Sequence, residues 1–481
     1  MMIYLLIVIL ALLLIFISII IIRAILFKPR QQSNIKQQEV DIDEDKAISD
    51  LAQMIRCKTV SRYDPLLIDE GEFDKFRALL REIYPNIFNK CSYERIGNTG
   101  ILFTWKGKES LKSTVLMAHY DVVPASEDNW EKPPFQGIIE KGVLWGRGTI
   151  DTKGTLCGVM EAVEHLIVKG FLPENDVYLS FAGDEEINGT STPSLVKELK
   201  TRGIRPSLVV DEGGAVVEGV FPGVKEACAL IGIGEKGPMN LVMSAKSNGG
   251  HASTPPPHTL VGQLSKAAVK IEKHPFKGLL TKPAAEMFDT LGRYSTFSYK
   301  IIFSNLWCFK PILDALCKKT GGELNALMRT TCALTMMEAS SAPNVLAPEA
   351  KMVANMRLIG KDTSESASQY IKKVIKDESI KLDIMDGGMN PSPYSETKGG
   401  SWEKLKSAIL QTWPSTIVAP YLMVACSDSR HYCEISDYVY RFSAMELSKE
   451  ERGMIHGHNE RIPLDKIVTT VKFYVRLISQ I

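Results

Sequence analysis

Hydrophobic and polar positions fall into three regimes along this chain. Residues 1–27 are almost unbroken Ile, Leu, Val and Phe with Arg23 as the only charge, a run longer than the ~20 residues that a bilayer core requires. The pattern predicts a transmembrane anchor over 1–27. A cleaved signal peptide competes with this reading, but there is no basic leading region, the run is too long, and no Ala-x-Ala-like site follows. Residues 28–45 are rich in Gln and acidic side chains without apolar periodicity and read as a polar linker.

From residue 46 the period changes to that of a folded body. Helical spacing covers 47–59 and 73–84, short β-type runs cover 100–105 and 113–118, and 153–169 carries Leu156, Val159, Met160, Val163 and Ile167 on one helical face. Strands alternating with helices predict an α/β fold, a mixed sheet covered by helices. Near 232–237 the rhythm breaks: a strand at 239–245, a turn-rich loop at 247–257, a helix at 260–273, and strands at 331–337 and 350–358 form an inserted α+β unit. The first rhythm then resumes to the end. The chain therefore divides into 46–235, an insertion at 236–359, and 360–481.

Composition narrows the function. A chain of 481 residues holds two or three units, and 57 basic against 56 acidic residues leave a net charge of +1. No field recruits a polyanion, so nucleic acid is excluded as a partner. Nine cysteines, without a CxxC pair, fit a reducing compartment better than a disulfide framework. Arg23, Lys28 and Arg30 flank the apolar run on its C-terminal side, which by the positive-inside tendency leaves the body in the cytoplasm.

The candidate chemistry sits where apolar runs end, the place where open α/β sheets bind ligands. The run from Ser113 delivers His119-Tyr-Asp121, a period-two pair whose side chains share one face of an extended chain. Asp121 is placed to receive the second N–H of a ligating imidazole. Three further segments end in acids: Gly146-Arg-Gly-Thr-Ile-Asp151, the run into Asp184-Glu185-Glu186, and Val209-Val-Asp211. A late His456-Gly-His-Asn-Glu460 adds two imidazoles. Singly, each has an ordinary explanation: Asp151 as a helix N-cap, the acidic triplet as a solvated loop, Asp211 as a turn residue, the histidines as surface. Together, His nitrogens with carboxylate oxygens suit zinc, manganese or cobalt, and two metals sharing one carboxylate fit the count.

The ordered set HxD, GRGxxDxKG, DEE, VVDEGG and HGxNE resembles metallopeptidase family M20 over roughly residues 47–481, and most closely its carboxypeptidase S and N-acyl-amino-acid hydrolase branch. The resemblance implies a catalytic domain interrupted by a lid or dimerisation domain, and two divalent ions, zinc first with cobalt or manganese as alternatives. His119 and Asp211 would hold one ion, Glu186 and His456 the other, with Asp151 bridging and His458 as the fallback for His456. Glu185 matches the general base and Asp121 the residue orienting His119. His251, in Asn248-Gly-Gly-His-Ala-Ser253, matches the group that polarises the scissile carbonyl, while Asn344 and Arg357 match substrate-holding positions. The implied activity is cleavage of amide bonds in N-acyl amino acids or short peptides with release of the C-terminal amino acid. Aminopeptidase or deacylase specificity, or an inactive membrane scaffold, are the alternatives. The family also implies a homodimer through the lid. Residues 276–327 exceed a minimal lid and carry apolar stretches at 301–307 and 313–316, either lining a channel for an apolar group or, the preferred reading, adding structure.

Overall fold

The computed structural model describes residues 1–30, 35 and 39–481, so the linker expected at 28–45 lies partly outside the described residues. The body is built on a nine-stranded mixed sheet in the order Ser92–Ile96, Gly100–Trp105, Asn175–Ala182, Glu109–His119, Leu208–Asp211, Val439–Arg441, Cys228–Glu235, Ile417–Met423, with Val216–Val217 paired to Cys228–Glu235. Its central strands run parallel: Glu109–His119 pairs with both Asn175–Ala182 and Leu208–Asp211. Burial on both faces explains their nearly unbroken apolar sequences. Leu116 and Ala118 face one core with the helices Lys153–Val168 and Leu464–Ile478, while Val115 and Met117 face another with Leu195, Val196 and Leu199 of the helix Ser191–Thr201. The expected α/β sheet with helical cover is thus the fold observed. Because the three central strands are parallel, their carboxyl ends open on one edge, and His119, the acidic triplet and the Asp211–Glu212 pair emerge there together.

The inserted unit has its own four-stranded antiparallel sheet, in the order Thr331–Glu338, Glu349–Leu358, Gly237–Lys246, Lys381–Ile384. Helices Leu260–Lys273 and Ser364–Ile375 close a separate core over it. Two boundaries differ from the sequence expectation of 236–359. The unit continues to residue 384, because Ala367, Ile371 and Ile375 bury a helical stripe against this sheet and Leu241 pairs with Ile384. Conversely, the helices Lys282–Gly292, Phe297–Phe303, Leu306–Thr320 and Gly322–Met328 belong to the main body. Phe288 and Phe303 pack their rings on Phe221 at 5.8 and 4.7 Å within the main core. The long segment therefore thickens the body.

Against these helices rests the apolar N-terminal helix Met2–Leu26. Most of it is exposed, and only its last turns are docked. Ile20 and Ala24 are buried, Arg23 donates to the Ser304 carbonyl at 2.9 Å and to Asn305 Oδ1 at 3.0 Å, and Asn305 Nδ2 donates to the Ile20 carbonyl at 3.1 Å.

Candidate metal centre

Five loops meet at the open edge of the sheet. His119 closes its strand, Asp151 precedes the helix Lys153–Val168, and Glu185 and Glu186 form a short 3-10 turn after Asn175–Ala182. Glu212 follows Leu208–Asp211, and His456 follows the helix Lys449–Met454 with φ 58°. Two groups of ligand-type atoms result: His119, Asp151 and Glu212 in one, and Asp151, Glu186 and His456 in the other, each with its atoms within 4.8 Å of one another. Asp151 belongs to both. Its Oδ1 lies 3.0 Å from His119 Nε2 and its Oδ2 lies 3.0 Å from His456 Nε2. His119 Nε2 stands 3.5 Å from Glu212 Oε1, and His456 Nε2 stands 3.0 Å from Glu186 Oε2.

Neighbouring loops fix this arrangement. The second ring nitrogen of His119 faces the Asp121 carbonyl at 3.0 Å and its Oδ1 at 3.3 Å, so the imidazole presents Nε2 to the cluster. The fully buried Asp121 carboxylate also accepts from the backbone N–H groups of Glu185 at 3.2 Å and Glu186 at 3.1 Å. One side chain thereby sets both the histidine and the acidic turn.

Glu460 does the same for the other half of the site, a role the sequence reading left unassigned. It is fully buried, pairs with Arg147 at 2.7 Å, and accepts from the backbone of Gly148, Ile150 and Asp151 at 3.0, 2.8 and 3.2 Å. Arg147 in turn donates to the Gly457 carbonyl at 2.7 Å, bolting the Asp151 loop to the His456 loop. Breaking a buried pair by removing one partner costs about 3–5 kcal/mol. Glu460→Ala is therefore expected to lower the unfolding free energy by about that amount in denaturant titrations.

The expectation for Asp211 is corrected by the geometry. Its carboxylate belongs to neither group, and its Oδ2 accepts from the Ser429 N–H at 3.0 Å. Consecutive residues on an extended chain point to opposite sides, so only one acid of the Asp211-Glu212 pair can face His119, and it is Glu212. His456 lies in the group with Asp151 and Glu186. His458 is exposed and outside both groups.

Glu185 borders the cluster while belonging to neither group. Burial pushes its carboxyl well above the usual range, opposed by His119 and reinforced by Glu212, Asp428 and Glu186. Burial, with Asp151 adding repulsion against the pull of His119, raises Glu212 to about 8. Hydrogen bonds that the His456 ring donates to the Asp151 and Glu186 carboxylates raise His456 to about 10. Glu186 Oε1 is buried with no hydrogen-bond partner. Acids gathered at such electrostatic cost, one with an orphaned oxygen, form a donor set that two divalent cations would satisfy.

The candidate residues of the inserted unit lie apart from this cluster. His251 pairs with Val345 in a short two-stranded ladder, and the Ala252 N–H donates to the Asn344 carbonyl at 3.0 Å, so His251 and Asn344 are neighbours. His251 is exposed, and its Nδ1 lies 2.7 Å from Ser253 Oγ. Among the described residues, none of the cluster's hydrogen bonds or ion pairs reaches His251 or Asn344. Arg357, on the strand Glu349–Leu358 of the inserted unit, meets the body at Cys426 Sγ, 2.9 Å away. Cys426 adjoins the loop of Asp428, whose carboxyl burial raises to about 8 and which accepts from Thr192 Oγ1 at 2.6 Å.

Comparison with known proteins agrees with this geometry. The family described as peptidase family M20/M25/M40 matches residues 115–480. A probable carboxypeptidase S-like 2 of Dictyostelium discoideum is 35% identical over 436 residues, 89% of this chain and 84% of that protein. The N-fatty-acyl-amino acid synthase/hydrolase PM20D1 of Bos taurus is 32% identical, over 88% of this chain and 86% of its own. Among solved structures, the M20 metallo-carboxypeptidase of Sulfolobus solfataricus superposes with a TM-score of 0.67 at 16% identity, over 90% of this chain and 98% of that one. A dinuclear metal-binding M20 peptidase of Bacillus subtilis superposes with a TM-score of 0.54 at 11% identity, over 91% and 98%. The chain described here belongs to peptidase family M20/M25/M40, a family of metal-dependent carboxypeptidases and amidohydrolases.

Proposed function

We propose that this protein is a membrane-tethered, two-metal amide hydrolase that releases the C-terminal amino acid from N-acyl amino acids or short peptides. The observation that carries the proposal is Asp151, shared between the two histidine-carboxylate groups with Glu185 beside them. His119, Asp151 and Glu212 would hold one divalent ion and Asp151, Glu186 and His456 the other. Zinc is the first choice for such a nitrogen and oxygen donor set, with cobalt and manganese as alternatives. When bound, the ions acidify water towards neutrality and polarise a carbonyl.

The remaining steps belong to side chains. Glu185, its carboxyl raised by burial, takes a proton from the attacking water and returns it to the leaving amine. His251 donates to the oxygen of the scissile carbonyl as negative charge develops there. Its exposed place on the lid means that it acts after lid closure or across a homodimer. The lid's outer strand Thr331–Glu338 has one unpaired edge and exposes Met336 and Met337, a surface for a second copy.

Asn344 and Arg357 hold the substrate carboxylate, Arg357 through its planar fork of donors. A charge-assisted hydrogen bond of this kind contributes about 1.5–3 kcal/mol. Replacing the substrate's free carboxylate by its amide is therefore expected to lower kcat/KM by about 10- to 100-fold in the wild type. Arg357→Ala should lower activity on the free acid similarly and show little further loss on the amide. An equal response to amidation in both proteins would favour the aminopeptidase or deacylase reading of the same centre.

The membrane tether rests on the helix Met2–Leu26. Cleaving it as a signal peptide would strip cover from Ser304 and Asn305, both buried beneath its last turns. The basic residues Lys28 and Arg30 that follow it support a cytoplasmic body by the positive-inside tendency.

A further inference from the structure

Helix Leu306–Thr320 carries an apolar stripe, Ile312 and Leu316 one turn apart, on one flank of its outer half, with Trp307 on the opposite flank. Trp307, Ile312 and Leu316 are 59%, 62% and 54% exposed, while Leu313 and Cys317 on the inner face are buried in the main core. Such a stripe on a monomer marks an interaction surface. Its neighbour says of what kind. The Trp307 ring meets Phe16 of the N-terminal helix edge-on at 5.8 Å, and Arg23 of the same helix is bonded to Ser304 just before the stripe begins. Phe16 precedes Arg23 by seven residues, which at 1.5 Å per residue is about 10 Å along the helix axis towards the bilayer interior. A bilayer that surrounds the N-terminal helix as far down as Phe16 therefore surrounds Trp307.

The charges agree. Lys318 and Lys319 close the helix, and Lys28 and Arg30 follow the end of the spanning segment. These cations can extend to anionic headgroups while the stripe enters the acyl layer.

We infer that helix Leu306–Thr320 is a second membrane element, lying in the interfacial layer with lipid covering Trp307, Ile312 and Leu316. The inference rests on the reading of Met2–Leu26 as an uncleaved anchor. It has the body seated on the bilayer rather than swinging from a polar stalk, with the catalytic body held at a fixed height above the lipid.

The spanning segment contains no tryptophan, so quenching of tryptophan emission by lipid reports on the body alone. The full-length protein is reconstituted in phosphatidylcholine and phosphatidylserine vesicles with or without bromine at acyl carbons 6 and 7. The emission due to Trp307, read as wild type minus Trp307→Phe, is expected to fall about twofold or more in brominated lipid. Alkaline carbonate extraction of the same vesicles tests the anchor separately. Protein that resists extraction while Trp307→Phe leaves quenching unchanged overturns the inference and spares the anchor. Protein that carbonate releases overturns both. An unquenched Trp307 in a protein that runs as a dimer assigns the stripe to a second copy of the chain.

Discussion

Glu185→Gln is expected to reduce kcat by about 10²–10⁴-fold with little change in KM, because a positioned general base contributes on that scale. The amide is nearly isosteric with the carboxylate but cannot accept the proton of the attacking water. Glu185 belongs to neither ligand group, so the variant should bind as much metal as the wild type. The backbone N–H of Glu185 still donates to Asp121, which keeps the turn in place. Steady-state hydrolysis of an N-acyl amino acid, paired with metal analysis of the same preparation, checks both halves. Full activity with full metal content would remove Glu185 as the base, and a lost metal would turn it into a ligand.

Asp151→Ala should have the widest effect on metal binding. The carboxylate is shared by both groups, 3.0 Å from each imidazole, so its loss weakens two sites at once. Hydrolysis is expected to fall to background. Bound metal is expected to drop from two ions per chain to one or fewer after desalting. A companion pair separates the two adjacent acids. Glu212→Ala should lose the ion beside His119, whereas Asp211→Ala should keep both ions and lose stability through the abandoned Ser429 N–H. Metal removal itself should be visible without any substitution. Ions present at a hundredfold excess over their Kd add about 2.7 kcal/mol to folding stability, so a chelator should lower the unfolding temperature of the wild type and leave Asp151→Ala almost unmoved. Equal metal content in Glu212→Ala and wild type would restore Asp211 as the ligand.

Much of this site is legible in the sequence because its scaffold is buried. Strands such as Val177-Tyr-Leu-Ser-Phe-Ala182 are covered on both faces, so they read as apolar runs whose ends can be located to the residue. His119 and Glu186 then stand out just past those ends, whereas Asp151 before a helix and His456 after one are read only from the ordered motifs. The choice between Asp211 and Glu212 does not follow, because it depends on the side to which a single residue past a strand turns. Glu460 is hidden for a different reason: its work is done through backbone N–H groups of a loop three hundred residues earlier, and those leave no side-chain pattern. The boundary of the inserted unit is missed at Lys381–Ile384, an outer strand with mostly exposed residues and no apolar alternation. Helices 282–328 show amphipathic spacing, but spacing cannot tell which of two cores a helix covers.

The most direct test of the two-cation centre is anomalous diffraction from crystals of the zinc-loaded protein, collected above and below the zinc edge. Two peaks are expected about 3.5–4 Å apart, the spacing of two-metal sites that share a bridging ligand. One should be bound by His119, Asp151 and Glu212, the other by Asp151, Glu186 and His456. A single peak, or peaks not joined by Asp151, would contradict the account.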